Sequence, residues 1–347
     1  MAYTTINKST EHFNTKLYNG TGSSNSITGV GFEPSFTWIK RRNSATNHHL
    51  HNAVSGATKV LYSNSTAAES TDAQKLYSFD SDGFTVGTNG DANNSSGTFV
   101  SWNWKAGGGQ GSSNTDGSIN TIYTSVNTTA GFSISTYTGN GTNNQTVGHG
   151  LGATPSMVII KDRDNGNKAW VCYHSALGAT KAIFLEQTAQ ANTSNSYFVN
   201  TAPTNSLFTI GDSSHVNNNG DKYIAYCFAE KTGYSKFGSY TGNGSSTDGT
   251  FVYTGFKPAF IMGKYTGGTG DWYLWDNKRL GYNPDNNKLK PNTNDAETTE
   301  NWIEMYSNGF KFFNNSGDFN YSGYNFIYMA FAEAPLVGSN NVPATAR

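Results

Sequence analysis

The chain has 347 residues, of which 35% are apolar and only 14% charged, with a formal net charge of −1. That length admits one to three domains with a sizeable core, while the balanced charge, densest in cations at Lys40-Arg41-Arg42, lacks the broad basic footprint of a nucleic-acid binder. No apolar run is long enough for a membrane-spanning helix, and 20 Tyr, 21 Phe and 7 Trp exclude a disordered chain.

The 39 glycines, with abundant Asn, Ser and Thr and few helix formers, point to an all-β protein with polar turns. The opening "MAYTTINKSTEHF" has no apolar centre of a secretory leader, so synthesis and folding in a cytoplasm are expected. "YNGTG" (18–22) then precedes a predicted strand in "GVGFEPSFTWIK" (29–40), followed by "NHHLHN" (47–52), "SGATK" (55–59) and "DGFTVG" (82–87). An aromatic strand, "FVSWNWKA" (99–106), closes this first stretch. "AGGGQGSSNTDGSIN" (106–120) reads as a flexible linker.

The same order of landmarks then recurs. "YTGNG" (137–141), "GHGLGATPSMVIIK" (148–161), "LGATK" (177–181), "SLFTIG" (206–211) and "YIAYCFAE" (223–230) are answered by "YTGNG" (240–244), "YTGFKPAFIMGK" (253–264), Gly281, "NGFKFF" (308–313) and "FIYMAFAE" (326–333). Tyr137 and Tyr240, Pro155 and Pro258, Gly178 and Gly281, and Phe228 and Phe331 are each separated by 103 residues. Pro34 holds the equivalent place in the first copy. Short strands with closely spaced turn signals favour antiparallel sandwiches or jelly rolls over a parallel α/β fold. Three tandem β-sandwich repeats are therefore expected at 1–106, 131–233 and 234–347, the last with a C-terminal arm, and 107–130 is expected as linker and lead-in. The Asn-Gly pairs at 140–141 and 243–244 predict type I′ hairpin turns. In the closing strands, Val100, Trp102 and Trp104 alternate with Ser101 and Asn103. The other two copies are apolar or small on both faces, so tighter packing is expected of them.

Candidate chemistry is sparse. His49 and His51 would share a strand face, but the "GATK" alignment places His48 with Trp170 and Leu50 with Cys172, an ordinary repeat strand, and no four-ligand set accompanies them. "FDSDGF" (79–84) and "YNPDNN" (282–287) offer oxygen donors without a closing calcium-loop Glu, and turn chemistry accounts for them. Cys172 and Cys227 read as core thiols. No nucleophile elbow is present, and Glu230 and Glu333, at equivalent strand ends with Ala106 in the first copy, are the one carboxylate pair to consider. "GGGQG" (107–111) and "GNGSSTDG" (242–249) open no helix and so form no phosphate cradle. Trp272 and Trp275 could stack on sugar, but the alignment makes at least one of them core. The residues thus predict no enzyme, no catalytic, metal or cofactor residues and no cofactor, and leave any ligand-binding residues unassigned.

The phrases "FEPSFTWIKRRNSA", "KVLYSNSTAAESTDAQKLYSFDSDGFTVG", "FVSWNWKAGGG", "TVGHGLGATPSMVIIKDR", "YIAYCFAEKTGYSKFGSYTGNG" and "MAFAEAPLVGSNNVPATAR" resemble a family of virion proteins from marine tailed bacteriophages, over nearly the whole chain. The resemblance implies concanavalin/lectin-like β-sandwiches, a tail-fibre or structural role in the virion, other virion proteins as partners, homo-oligomer formation, and a host-surface polysaccharide or receptor as ligand. It brings no catalytic residues, and the charge and the lack of long apolar runs predict no nucleic-acid partner and no membrane insertion. The first repeat begins soon after Met1 and no heptad run occurs, which favours a tip, knob or decorating subunit, with "MAYTTINKSTEH" and "APLVGSNNVPATAR" as docking arms. A capsid-decoration or tail-adaptor role is the alternative expectation, and an envelope-polysaccharide depolymerase a third.

Overall fold

A computed structural model describes residues 4–279, 283 and 286–335. The chain is all-β, and its strands pair antiparallel throughout. One strand order occurs along it three times. A lead strand (Phe13–Asn19, Phe132–Thr138, Ser235–Thr241) pairs with a closing strand (Thr98–Trp104, Lys222–Phe228, Asn325–Pro335). The closing strand pairs next with a third strand (Phe36–Arg41, Met157–Asp162, Phe256–Tyr265), which pairs with a fourth (His49–Asn52, Val171–His174, Trp272–Asp276). Pro34 and Pro155 stand just before the third strand, and Pro258 sits at a register shift within it. Against each large sheet lies a small one: Asn25–Thr28 with Gly83–Val86 and Leu76–Asp80; Gln145–Gly148 with Leu207–Ile210; and Phe251–Tyr253 with Gly309–Phe312 and Ile303–Tyr306. We call the three groups units 1, 2 and 3.

Side-chain alternation gives every large sheet two buried faces. One face packs on the unit's own small sheet. Ile39, Phe84 and Phe99 do so in unit 1, Val171 and Phe208 in unit 2, and Trp275 and Phe310 in unit 3. The other faces of all three large sheets form a single core containing Trp38, Trp102, Trp104, Ile159, Tyr226, Phe228, Phe260, Met262 and Phe331. A void of about 10 Å³ lies among Trp38, Trp104, Ile159, Tyr226, Phe228 and Phe260. The units therefore close into a ring around shared apolar side chains.

This arrangement changes three expectations. The closing strand of unit 1 is covered on both faces: Ser101 and Asn103 are fully buried, and Asn103 satisfies itself on Ser101 Oγ, Asn14 O and the Thr37 hydroxyl. The stretch expected as linker and lead-in, 107–130, holds a strand, Thr121–Asn127, just after the Gly/Ser-rich run, and it pairs with the unit 2 lead strand. The expected N-terminal arm is packed, with Thr4, Ile6 and Ser9 buried and Ile6 inside the shared core. In the other expected arm, residues 336–347 lie outside the described residues.

The repeated glycine phrase is a crossover between sheets, and no hairpin forms there. After each lead strand the chain passes to the small sheet, where Asn25–Thr28 pairs with Gly83–Val86 and Gln145–Gly148 with Leu207–Ile210. The crossover clasps a buried asparagine (Asn93, Asn217 or Asn320) whose Oδ1 accepts from the backbone N–H of Thr21, Asn140 or Asn243. Its Nδ2 donates to the Gly87, Gly211 or Asn314 carbonyl. The tyrosine opening each phrase donates to the carbonyl just before that asparagine, at Ala92, Val216 or Phe319. The first glycine is required by proximity: a Cβ on Gly139 would lie 2.3 Å from Asn218 O. The second adopts positive φ, 73° at Gly22 and 70° at both Gly141 and Gly244.

Around the ring, each unit meets its neighbour through one set of backbone bonds. The N–H groups of Glu69, Ala191 and Glu297 donate to the carbonyls of Arg163, Thr266 and Arg42. Lys40, Lys161 and Lys264, all buried, donate across the same seams to Asn294, Thr66 and Thr188 carbonyls, and burial pulls each ammonium down to about 8. Ion pairs Arg163–Glu69 (2.7 Å) and Arg42–Glu297 (2.8 Å) reinforce two of the seams. Among the described residues no connecting segment crosses the seam between units 3 and 1. There the fully buried Arg279 pairs with Asp276 (2.6 Å) and Glu297 (3.0 Å), and Asp276 also accepts from Trp102 Nε1.

Two outcomes follow from this packing. Asn217→Ala strands the Asn140 N–H and the Gly211 and Thr142 carbonyls, and is expected to lower unfolding free energy by about 3 kcal/mol or more, whereas the exposed Asn219→Ala changes it by less than about 0.5 kcal/mol; urea titration compares them. Glu297→Gln leaves two arginines without their shared carboxylate and is expected to cost about 3 kcal/mol. Those cations hold the Glu297 carboxyl below its ordinary range despite burial. Its stabilisation is thus complete above about pH 4.3 and lost as pH falls through the lower native value, so in acid the wild-type and variant melting temperatures should converge.

Candidate ligand-binding surface

The three small sheets can be compared strand by strand. In each, a buried apolar pair fixes the phase: Ile27 with Phe84, Val147 with Phe208, Val252 with Phe310. Its neighbours then point outward. In unit 1 these are Ser26 and Thr85, whose hydroxyls lie 3.0 Å apart, and in unit 2 they are Thr146 and Thr209; Thr85 and Thr209 are nonetheless buried, and Thr146 accepts from the Ser118 N–H. Unit 3 places Phe251 and Lys311 there, with Tyr253 beyond.

Strand register brings further residues onto this face. Phe251, Lys311 and Glu304 form one row across the sheet, and Tyr253, Gly309 and Tyr306 the next. Phe251 is 44% exposed and Tyr253 57%, a contiguous aromatic display on an otherwise polar surface. The Phe251 and Tyr306 rings meet edge to face at 6.1 Å. Gly309 between the two tyrosines is required by proximity: a Cβ there would lie 2.2 Å from Val252 O and 2.9 Å from the Phe251 ring. Polar groups rim the rings: the Tyr306 hydroxyl donates to Glu304, and Lys311 pairs with Asp248. Desolvation and the Glu304 carboxylate push the Tyr306 phenol up to about 12, so it remains a protonated donor. Aromatic faces beside a carboxylate and an ammonium can stack on the apolar face of a sugar ring while bonding its hydroxyls.

The residues singled out in the sequence fall elsewhere. His49 and His51 share a face, as alternation required, but it is the fully buried interior of unit 1, where units 2 and 3 place Val171, Tyr173, Tyr273 and Trp275. Among the described residues no group of three or more His, Cys, Asp and Glu could hold a metal ion. Burial lowers both imidazoles, His51 to about 4. His48 accepts from Trp38 Nε1, and Leu50 and Cys172 hold equivalent ladder positions opposite Trp38 and Ile159. Both cysteines are buried and free, their thiols pushed up by burial. Trp272 and Trp275 are both core.

Glu230 pairs with Lys236, and Glu333 with Lys257 and Lys278. Within "FDSDGF", Asp82 accepts from the Gly29 and Gly31 N–H groups and Asp80 from Thr85, so those oxygens brace turns. In "YNPDNN", Asn283 and Asn286 bond the Met305 and Ile303 backbone, and Tyr282, Pro284 and Asp285 lie outside the described residues. Of the basic triplet, Lys40 is buried and Arg42 is paired.

Sequence reasoning missed the aromatic face. Its signal lay in "TFVYT" (250–254), where period-2 alternation around Val252 sends Phe251 and Tyr253 outward. Tyr306 joins them only through strand pairing.

A family model described as a domain of unknown function, DUF7483, matches residues 8–335, and the chain belongs to that family. The match spans all three units. No curated protein and no solved structure matches the chain.

The buried histidines set an acid response. Neutral in the folded state and protonated near pH 6.5 when unfolded, His49, His51 and His174 contribute full stability above about pH 6.5, lost as pH falls toward their lowered native values. Urea midpoints should decline between pH 6.5 and 4. His49→Val, which installs the unit 2 residue, should flatten that decline.

Proposed function

We propose that the chain is a non-enzymatic virion surface protein of a tailed bacteriophage, presenting the outer face of unit 3 to a polysaccharide or receptor on the host envelope. The observation that carries this reading is the asymmetry of the ring. One framework occurs three times, yet where units 1 and 2 have Ser26, Thr28, Thr146 and Gly148, unit 3 has the exposed rings of Phe251 and Tyr253, with Tyr306 beside them on the next strand. The paired strands of units 1 and 2 keep the same buried apolar pair without aromatic side chains at those two positions. Resemblance of the sequence to phage virion proteins supplies the setting. A ring built on shared core presents its loops rigidly, and many copies on one particle would convert weak contacts into firm attachment.

The alternative, a decoration or adaptor subunit joining other virion proteins, is favoured by a different observation. Strand Thr121–Asn127, whose outer edge is bonded by Ser112 and Asn114, exposes the side chains of Ile122 and Tyr123, a small apolar patch suited to protein contact.

Binding of purified protein to host cells and to extracted surface polysaccharide tests the leading reading. Tyr253→Ala and Phe251→Ala should each weaken binding about tenfold or more, as truncated aromatic anchors do, with unchanged melting temperature. Wild-type protein that binds neither cells nor polysaccharide would overturn recognition and leave the adaptor reading.

A further inference from the structure

The three seams are not equally furnished. In two of them the bridging loop carries a glutamate, Glu69 or Glu297, paired with Arg163 or Arg42 across the seam. In the third, between units 2 and 3, the same backbone bond joins Ala191 to Thr266, and among the described residues no ion pair accompanies it. A hollow of about 500 Å³ lies beside Ala191, walled by Phe184, Gln187, Gln190, Asn192 and Thr193. Its counterpart in unit 3 is smaller, about 370 Å³, and is walled by Lys288, Lys290, Asp295 and Glu300.

We propose that the unit 2 hollow is a binding site for an uncharged, hydroxyl-rich ligand, a neutral saccharide. Its walls bear no charged side chain, so an ionic ligand would find no counter-charge there. They do bear amides, which donate and accept as sugar hydroxyls require. Among the described residues, the Gln190 and Asn192 amides and the Thr193 hydroxyl have no protein partner. Loop asparagines elsewhere, such as Asn94, Asn114 and Asn140, spend their side chains bracing turns. The Phe184 ring adds an apolar wall.

The hollow is also preformed. Its loop is pinned to unit 3 by Trp272 Nε1 on Phe184 O (2.9 Å), by Lys264 Nζ and Gly270 N–H on Thr188 O (3.1 and 2.9 Å), and by Ala191 N–H on Thr266 O (3.0 Å). A ligand therefore need not order the loop. This site is separate from the aromatic face and does not rest on the recognition reading.

Titration calorimetry of the full chain with neutral trisaccharides of glucose, galactose and mannose tests it. At least one should bind saturably. Gln190→Ala/Asn192→Ala, at exposed positions, should weaken that binding tenfold or more. Ala191→Glu/Thr266→Arg, reinstating the ion pair of the other seams, should do the same while holding or raising the melting temperature. Tyr253→Ala should leave it unchanged. The proposal is overturned if none of these trisaccharides binds, if both hollow variants bind like wild type, or if a trisaccharide of uronic acids binds as well as the best neutral one. Binding lost in Tyr253→Ala but kept in the hollow variants would also overturn it, while supporting the aromatic face as the sugar site.

Discussion

Trp104 is where the three units meet. Its ring stacks on Phe36 of its own unit at 5.2 Å and takes edge-on contacts from Phe228 of unit 2 and from Phe260 and Phe331 of unit 3. Each large sheet thus gives one face to its own small sheet and the other to a core it cannot complete alone. A unit excised from the ring would expose an aromatic sheet face to water. The three sandwiches are therefore interdependent, and the family matched over residues 8–335 spans the whole ring.

Polar groups trapped by this packing are handled consistently. The clasp asparagines, seam lysines and Arg279 are all buried, and each is bonded to backbone carbonyls or carboxylates. Because main-chain groups supply most of these partners, side chains around them can differ between copies without loss of the seam. Thr266 and Ala191 replacing an Arg–Glu pair is one such case, and His48 standing where Trp170 and Trp272 stand is another. Where no connecting segment crosses among the described residues, between units 3 and 1, the charged groups are densest. Glu297 there serves Arg42, Arg279 and Asn287 at once.

The internal repetition acts as a built-in control for function. Features present in all three units, such as the tyrosine clasp and the third-strand lysine, answer to folding. Features present in one copy at an outward position are not needed by the other two copies of the framework. The aromatic face of unit 3 and the amide-walled hollow of unit 2 are both of this kind. They differ in chemistry: the first displays wide rings with charges at its rim, and the second is a concave, uncharged pocket.

The sequence by itself determined the all-β class, the strands that carry the repeated landmarks and the spacing of those landmarks, because period-2 alternation and turn chemistry are local properties of the chain. It also placed His48 with Trp170 and Leu50 with Cys172, since equivalent strands keep equivalent lengths. Tertiary structure alone decided that the glycine phrases are crossovers on a buried asparagine, because the partners Asn93, Asn217 and Asn320 lie some 70 to 80 residues away. It also decided that Ser101 and Asn103 are interior and that residues 121–127 form a strand. The candidate site was half legible. Phe251 and Tyr253 could be assigned outward from alternation, but Tyr306, Glu304 and Lys311 reach them only through sheet register. Local sequence says which face a residue occupies; which other strands share that face is fixed by long-range pairing.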